Sequence, residues 1–158
     1  MHSRIGRATL ATGWAAAAAL MGARGGLKNV SPADRKSAAR RLVRTGDFDA
    51  ARALLVEAMQ TADEMGERMY VPQLLLLDAA IARAQGRADD ARAATRRAIE
   101  EAQQQQAPWL ELEARVDFCE YDAATASERA ALAALVDGLP QAGDTPLIQR
   151  ARALLQTS

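Results

Sequence analysis

From residue 31 onward, apolar residues recur at i, i+3 and i+4 through long stretches rich in Ala, Leu, Arg and Glu. That period predicts helices with one buried stripe each, and strand-like alternation is hard to find. The pattern also repeats itself. The stretch from Arg44 to Met59 matches the stretch from Ala84 to Ile99 at an offset of 40 residues. Gly46 falls on Gly86, Ala51 on Ala91, Ala58 on Ala98 and Met59 on Ile99. A weaker third copy continues through Ala126 and Ala131. Ala39, Ala79 and Cys119 hold the same spacing one helix earlier.

Each copy reads as two helices joined by a tight turn. Gly46 and Gly86 suit the left-handed conformation that closes a helix. Asp47 or Asp49, and Asp89, are expected to cap the next helix. Ala39, Ala79 and Cys119 are expected to lie buried between the two helices of their hairpins, with Ala51, Ala91 and Ala131 opposite. Leu42, Leu54, Leu55, Met59, Leu74, Leu75, Ile81, Ile99, Leu110, Phe118, Leu132 and Leu135 are the expected core. One such hairpin cannot bury its apolar face alone, so hairpins should stack. Gly138, Pro140 and Gly143 break the chain near its end. Asp144 or Thr145 then caps a last helix with Pro146 in its first turn. Leu147, Ile148, Ala151, Leu154 and Leu155 form its apolar face.

Residues 1–30 differ and are read as a separate Ala-rich segment before a helical domain over 31–158. They hold Arg4, Arg7, Arg24 and Lys28 and no acid. The uncharged run Ala8 to Ala23 is too short and too weakly apolar for a membrane span. A basic start before an apolar middle fits a secretory leader, but no small-x-small cleavage site follows Leu20. The expectation is a helix over about residues 7 to 22, a linker from Gly25 to Pro32, and a cytoplasmic protein, with secretion as the alternative.

Composition narrows the chemistry. The 158 residues carry 20 basic and 20 acidic side chains, which argues against a dedicated nucleic-acid binder. A single His and a single Cys exclude an internally coordinated His/Cys metal site, an internal disulfide and a His-based triad. No catalytic residue, metal or cofactor is expected, so the chain is not read as an enzyme. Cys119 is expected to be a structural thiol. Asp89-Asp90 and Glu100-Glu101 read as capping or solvated carboxylates. Arg92, Arg96 and Arg97 should pair with Asp89 and Glu100 along their own helix. Alanine supplies 38 residues and aromatics only six, so small side chains are expected to set close helix contacts.

The Gly46-Asp47-Phe48-Asp49-Ala50-Ala51 run, with Ala58 seven residues after Ala51, resembles the turn and second helix of a tetratricopeptide repeat. Gly86 to Ala98 fits the same frame. The resemblance implies an all-α, antiparallel helical-hairpin solenoid, a right-handed superhelix with a closing C-terminal helix. It also implies a partner groove lined by the first helix of each hairpin. Lys36 and Arg40 would face it in the first unit, Gln73, Leu76, Ala80 and Arg83 in the second, and Glu113, Val116 and Glu120 in the third. A protein or peptide partner would lie along that basic-to-acidic gradient, with no nucleic acid and no membrane. The asparagines with which one subset of the family grips a C-terminal carboxylate are missing. Residues 50–155 further resemble the C-terminal repeat segment of large bacterial signalling ATPases linked to adenylate cyclase or DNA-binding domains. Gly66-Glu67-Arg68, Gln106 to Leu112, and Asp144-Thr145-Pro146 carry that likeness. It implies, as the second reading, a regulatory or sensory segment acting in cis or in trans.

Overall fold

Four helix ends close the same way at a spacing of 20 residues. In the computed structural model, which describes residues 30–139 and 143–157, Gly46, Gly66, Gly86 and Gln106 all adopt positive φ, at 81°, 69°, 74° and 52°. At each, the next residue's N–H reaches back to a carbonyl five positions earlier. These bonds are Asp47 to Leu42, Glu67 to Ala62, Arg87 to Ala82 and Ala107 to Ala102, at 2.8–3.0 Å. The motif satisfies carbonyls that a helix end would leave bare. The 40-residue repeat thus contains two matching turns, and only its glycine pair at 46 and 86 is conspicuous in sequence.

The described residues form seven α-helices and one 3₁₀ turn, with no strand among them. The chain divides between Tyr70 and Val71 into two units. The expected boundary near residue 30 lies at the edge of the described residues, and the helix expected over 7 to 22 lies outside them.

The first unit pairs α1 (Pro32–Thr45) with α2 (Phe48–Met65), followed by the 3₁₀ turn Arg68–Tyr70. Ser31 caps α1 by accepting from the Asp34 N–H, and Pro32 sits where a missing N–H costs nothing. Asp47, of the two candidates, caps α2 by accepting from Ala50 N–H at 3.3 Å. Ala39, Ala51, Leu54, Leu55, Ala58 and Ala62 are buried. Arg35 is also buried; its guanidinium donates to the Glu57 carbonyl at 3.0 Å and to the Thr61 hydroxyl.

The second unit holds α3 (Val71–Ala84), α4 (Ala88–Gln104), α5 (Pro108–Tyr121), α6 (Ala126–Gly138) and α7 (Pro146–Gln156). Each helix packs on the next, and α5 also packs on both α3 and α7. Alternate helices α3, α5 and α7 therefore follow one another as neighbours. Two kinds of core hold them. Ala79 and Ala82 of α3 meet Ala91 and Ala94 of α4 in a seam made only of alanine. Leu112 and Val116 of α5, Leu132 of α6, and Ile148 and Ala151 of α7 form a cluster of mostly larger side chains. The closing helix starts as expected, with Thr145 accepting from Ile148 N–H and Pro146 behind it.

The third copy of the repeat departs from its frame. Pro72 follows the Gly66 turn by six residues, through the 3₁₀ turn, but Pro108 follows the Gln106 turn by two. Helix α5 therefore starts three residues early in the 40-residue frame and ends at Tyr121, before extended Asp122. Residue 126 begins a helix instead of closing one, and Thr125 and Glu128 cap it reciprocally. This shift corrects one expectation. Ala39 and Ala79 are fully buried, but Cys119 is only half-buried. The buried positions of α5 are Leu112, Ala114, Val116 and Phe118. Of the expected core, Leu54, Leu55, Leu74, Leu75, Ile81, Phe118 and Leu132 are buried, and Leu42, Met59, Ile99, Leu110 and Leu135 are half-buried. Asp89 does not cap α4: Arg87 occupies that position without a side-chain capping bond, and Asp89 points into solvent.

Candidate functional site

The expected groove residues divide between the two units. Lys36 and Arg40 lie on α1; Gln73, Leu76, Arg83, Glu113 and Glu120 lie on α3 and α5. In the first unit, the Lys36 ammonium sits 5.5 Å from the centre of the Tyr70 ring, and Arg40 is exposed.

In the second unit, the charges meet one another across helices. Gln73 of α3 donates to Glu113 of α5 at 2.9 Å. Arg83 of α3 grips Asp117 of α5 with two nitrogens and donates to Thr95 of α4 at 3.0 Å. Glu120 of α5 takes both Nε and an NH2 of Arg150 on α7, at 2.9 and 2.6 Å. Leu76 lies half-buried on the same helix as Gln73. The gradient expected from single charges is thus a ladder of paired groups joining α3 to α5 and α5 to α7. Arg83 is not a solvent-facing groove charge, since its side chain is 19% exposed, as is that of Asp117.

The Arg83 network has a defined electrostatic character. Burial pushes the Asp117 carboxyl above its ordinary range, and the hydrogen bonds and charge of Arg83 and the Thr95 hydroxyl pull the other way. Thr95 is fully buried and also donates to the Ala91 carbonyl at 3.1 Å. The Arg83 guanidinium also covers the Tyr121 ring, 4.3 Å from its centre. Tyr121 is 62% exposed, so this wall presents an aromatic face to solvent with a cation locked over it. Sequence reading missed Asp117, Thr95, Tyr121 and Arg150 because it sought partners for charges only along their own helix, and these contacts cross between helices. The spacing of Asp117 and Tyr121, four apart on one helix face, was the available signal.

A concavity of about 190 Å³ opens between α4, α5 and α6, lined in part by Ile99, Phe118 and Cys119. Arg96 lies over Phe118 at 4.9 Å and pairs with Glu128 at 2.9 Å, across helices and not with Glu100 of its own. Arg92 likewise reaches Asp122 at 3.0 Å as well as Asp89 at 3.8 Å. Burial raises the pKa of the Cys119 thiol, so it stays protonated and weakly nucleophilic near neutrality. Glu128 is held low chiefly by the Thr125 N–H bond of the helix cap. Among the described residues, no group of three His, Cys, Asp or Glu side chains could hold a metal ion. Among them too, no helix is long and apolar enough to cross a membrane. No family model, curated protein or solved structure matches the chain.

Proposed function

We propose that this chain is a non-enzymatic scaffold that binds a protein or peptide on a tetratricopeptide-like stack of helical hairpins. The succession of α3, α5 and α7 as neighbours supports the stack. The observation that carries the binding reading is the exposed Tyr121 ring held under Arg83. Tyrosine and arginine dominate the energetics of protein interfaces, and a ring already fixed by Asp117 and Thr95 through Arg83 loses little freedom on binding. A peptide side chain would stack on the free face of the ring, and the paired groups beside it would supply hydrogen bonds.

Selection from a displayed random-peptide library tests this reading. Peptides retained by the wild type should lose about tenfold or more in affinity on Tyr121→Ala, a hot-spot-sized loss. Circular dichroism should be unchanged. A wild-type chain that selects no peptide, or peptides indifferent to Tyr121→Ala, would remove this wall from consideration. Specific recovery of an ATPase or cyclase from source lysate would favour the regulatory-segment reading instead.

A further inference from the structure

The acids of α5 are paired with cations, with one exception. Arg83 holds Asp117, Arg150 holds Glu120 and Arg115 holds Glu111. Glu113 differs. Its Oε2 accepts from the neutral Gln73 amide at 2.9 Å, and it meets no cation among the described residues. The side chain is half-buried. A carboxylate placed there favours an ionised donor over a neutral one, because charge-assisted hydrogen bonds are about twice as strong.

Glu113 and Tyr121 mark the two ends of a strip. Gln73 and Glu113 meet towards the N-terminal ends of α3 and α5, and Arg83 meets Asp117 and Tyr121 towards their C-terminal ends. The two helices therefore run side by side in the same direction. Leu76 and Ala80, three and seven residues after Gln73, share its face of α3 and are half-buried. The strip thus carries an acceptor at one end, an exposed ring at the other and apolar side chains between. Glu113 and Tyr121 are eight residues apart on α5, which is about 12 Å along its axis. An extended peptide covers that span in about four residues.

We propose that the peptide recognised by this wall carries a Lys or Arg about four residues from an aromatic side chain. The cation docks on Glu113 and the ring stacks on Tyr121. This rests on the peptide-scaffold reading and gives its partner a charge. An acidic peptide fits less well. It would meet Arg83 and Arg150 already neutralised by Asp117 and Glu120, and would face Glu113 uncompensated.

A double-mutant cycle between protein and peptide tests the proposal. Random peptides retained by the wild type and weakened by Tyr121→Ala are sequenced and resynthesised. They should share a Lys or Arg about four positions from an aromatic residue. Glu113→Gln keeps an acceptor for Gln73 and should lower their affinity about fivefold, the size of a well-placed, partly exposed ion pair. Replacing the peptide's cation by Gln should cost the wild type the same factor and cost the Glu113→Gln protein almost nothing. Glu100→Gln, at an exposed carboxylate on α4, should change affinity by less than about twofold. Raising salt from about 0.05 to 0.5 M should weaken the wild type more than Glu113→Gln, because exposed charges are screened. Circular dichroism should match across the variants. Tyr121-dependent peptides that lack a basic position, that carry an acid there, or whose two losses simply add would overturn the proposal and leave the scaffold reading standing. A wild type that retains no peptide, or only peptides indifferent to Tyr121→Ala, would remove both.

Discussion

The hairpin α3/α4 and the group α5–α7 solve the same packing problem with different materials. The first brings two helices together over Ala79, Ala82, Ala91 and Ala94. The second fills wider gaps with Leu112, Val116, Leu132 and Ile148. A seam of methyl groups has no slack for added volume, whereas a cluster of branched side chains has most to lose by truncation. The two regions should therefore fail in opposite directions.

The largest effect is expected from truncation. Leu132→Ala removes a fully buried side chain shared by three helices and should cost about 2–5 kcal/mol in urea denaturation. The corresponding enlargement, Ala79→Leu, should cost about 1–3 kcal/mol by forcing α3 from α4. If Ala79→Leu is tolerated while Leu132→Ala is not, the seam is looser than the contrast requires. The turns sharpen the comparison at smaller scale. Gly86→Ala, at a φ of 74°, should destabilise by about 1 kcal/mol, and Gln106→Gly, at 52°, should stabilise by some tenths up to about 1 kcal/mol. Differential scanning calorimetry of the two variants should show shifts of opposite sign.

The smallest effect concerns pH. The Asp117 carboxyl has its pKa raised in the folded state, chiefly by burial. The folded protein then binds this proton more tightly than the unfolded chain. Its contribution to stability is fullest below the ordinary carboxylate pKa and is lost as pH rises through the raised value. Asp117→Asn removes that dependence. The stability of the wild type relative to the variant should rise on going from about pH 7 to about pH 4. A relative stability that falls with acid would mean that Arg83 outweighs burial.

Much of the helical frame was legible in sequence because its markers are local. Gly46 and Gly86, the proline at position 146 and the threonine before it act within one turn of chain. Gln106 was not legible as a turn, since glutamine at positive φ carries no compositional signal. The Cys119 expectation failed for a related reason. It assumed a constant offset, but α5 begins two residues after the Gln106 turn where α3 begins five after the Gly66 turn, and this shortening moved α5 within that frame. At the candidate site, the helices carrying Arg83 and Glu120 were assigned correctly. Their partners were not, because Arg83 meets Asp117 and Glu120 meets Arg150 across 34 and 30 residues of chain. Pairing at that range depends on which helix faces lie together.

The contacts of α5, made with helices one or two places away in the chain, bear on how fast this unit assembles. Among its described residues no strand must wait for a distant partner, so the entropy of closing long loops is not incurred before contacts compensate for it. Proteins with such local topology fold in roughly microseconds to milliseconds. The second unit should refold on that timescale after a rapid dilution from urea, with α7 the natural place for fraying to begin, as it packs on α5 and α6 and ends at Gln156.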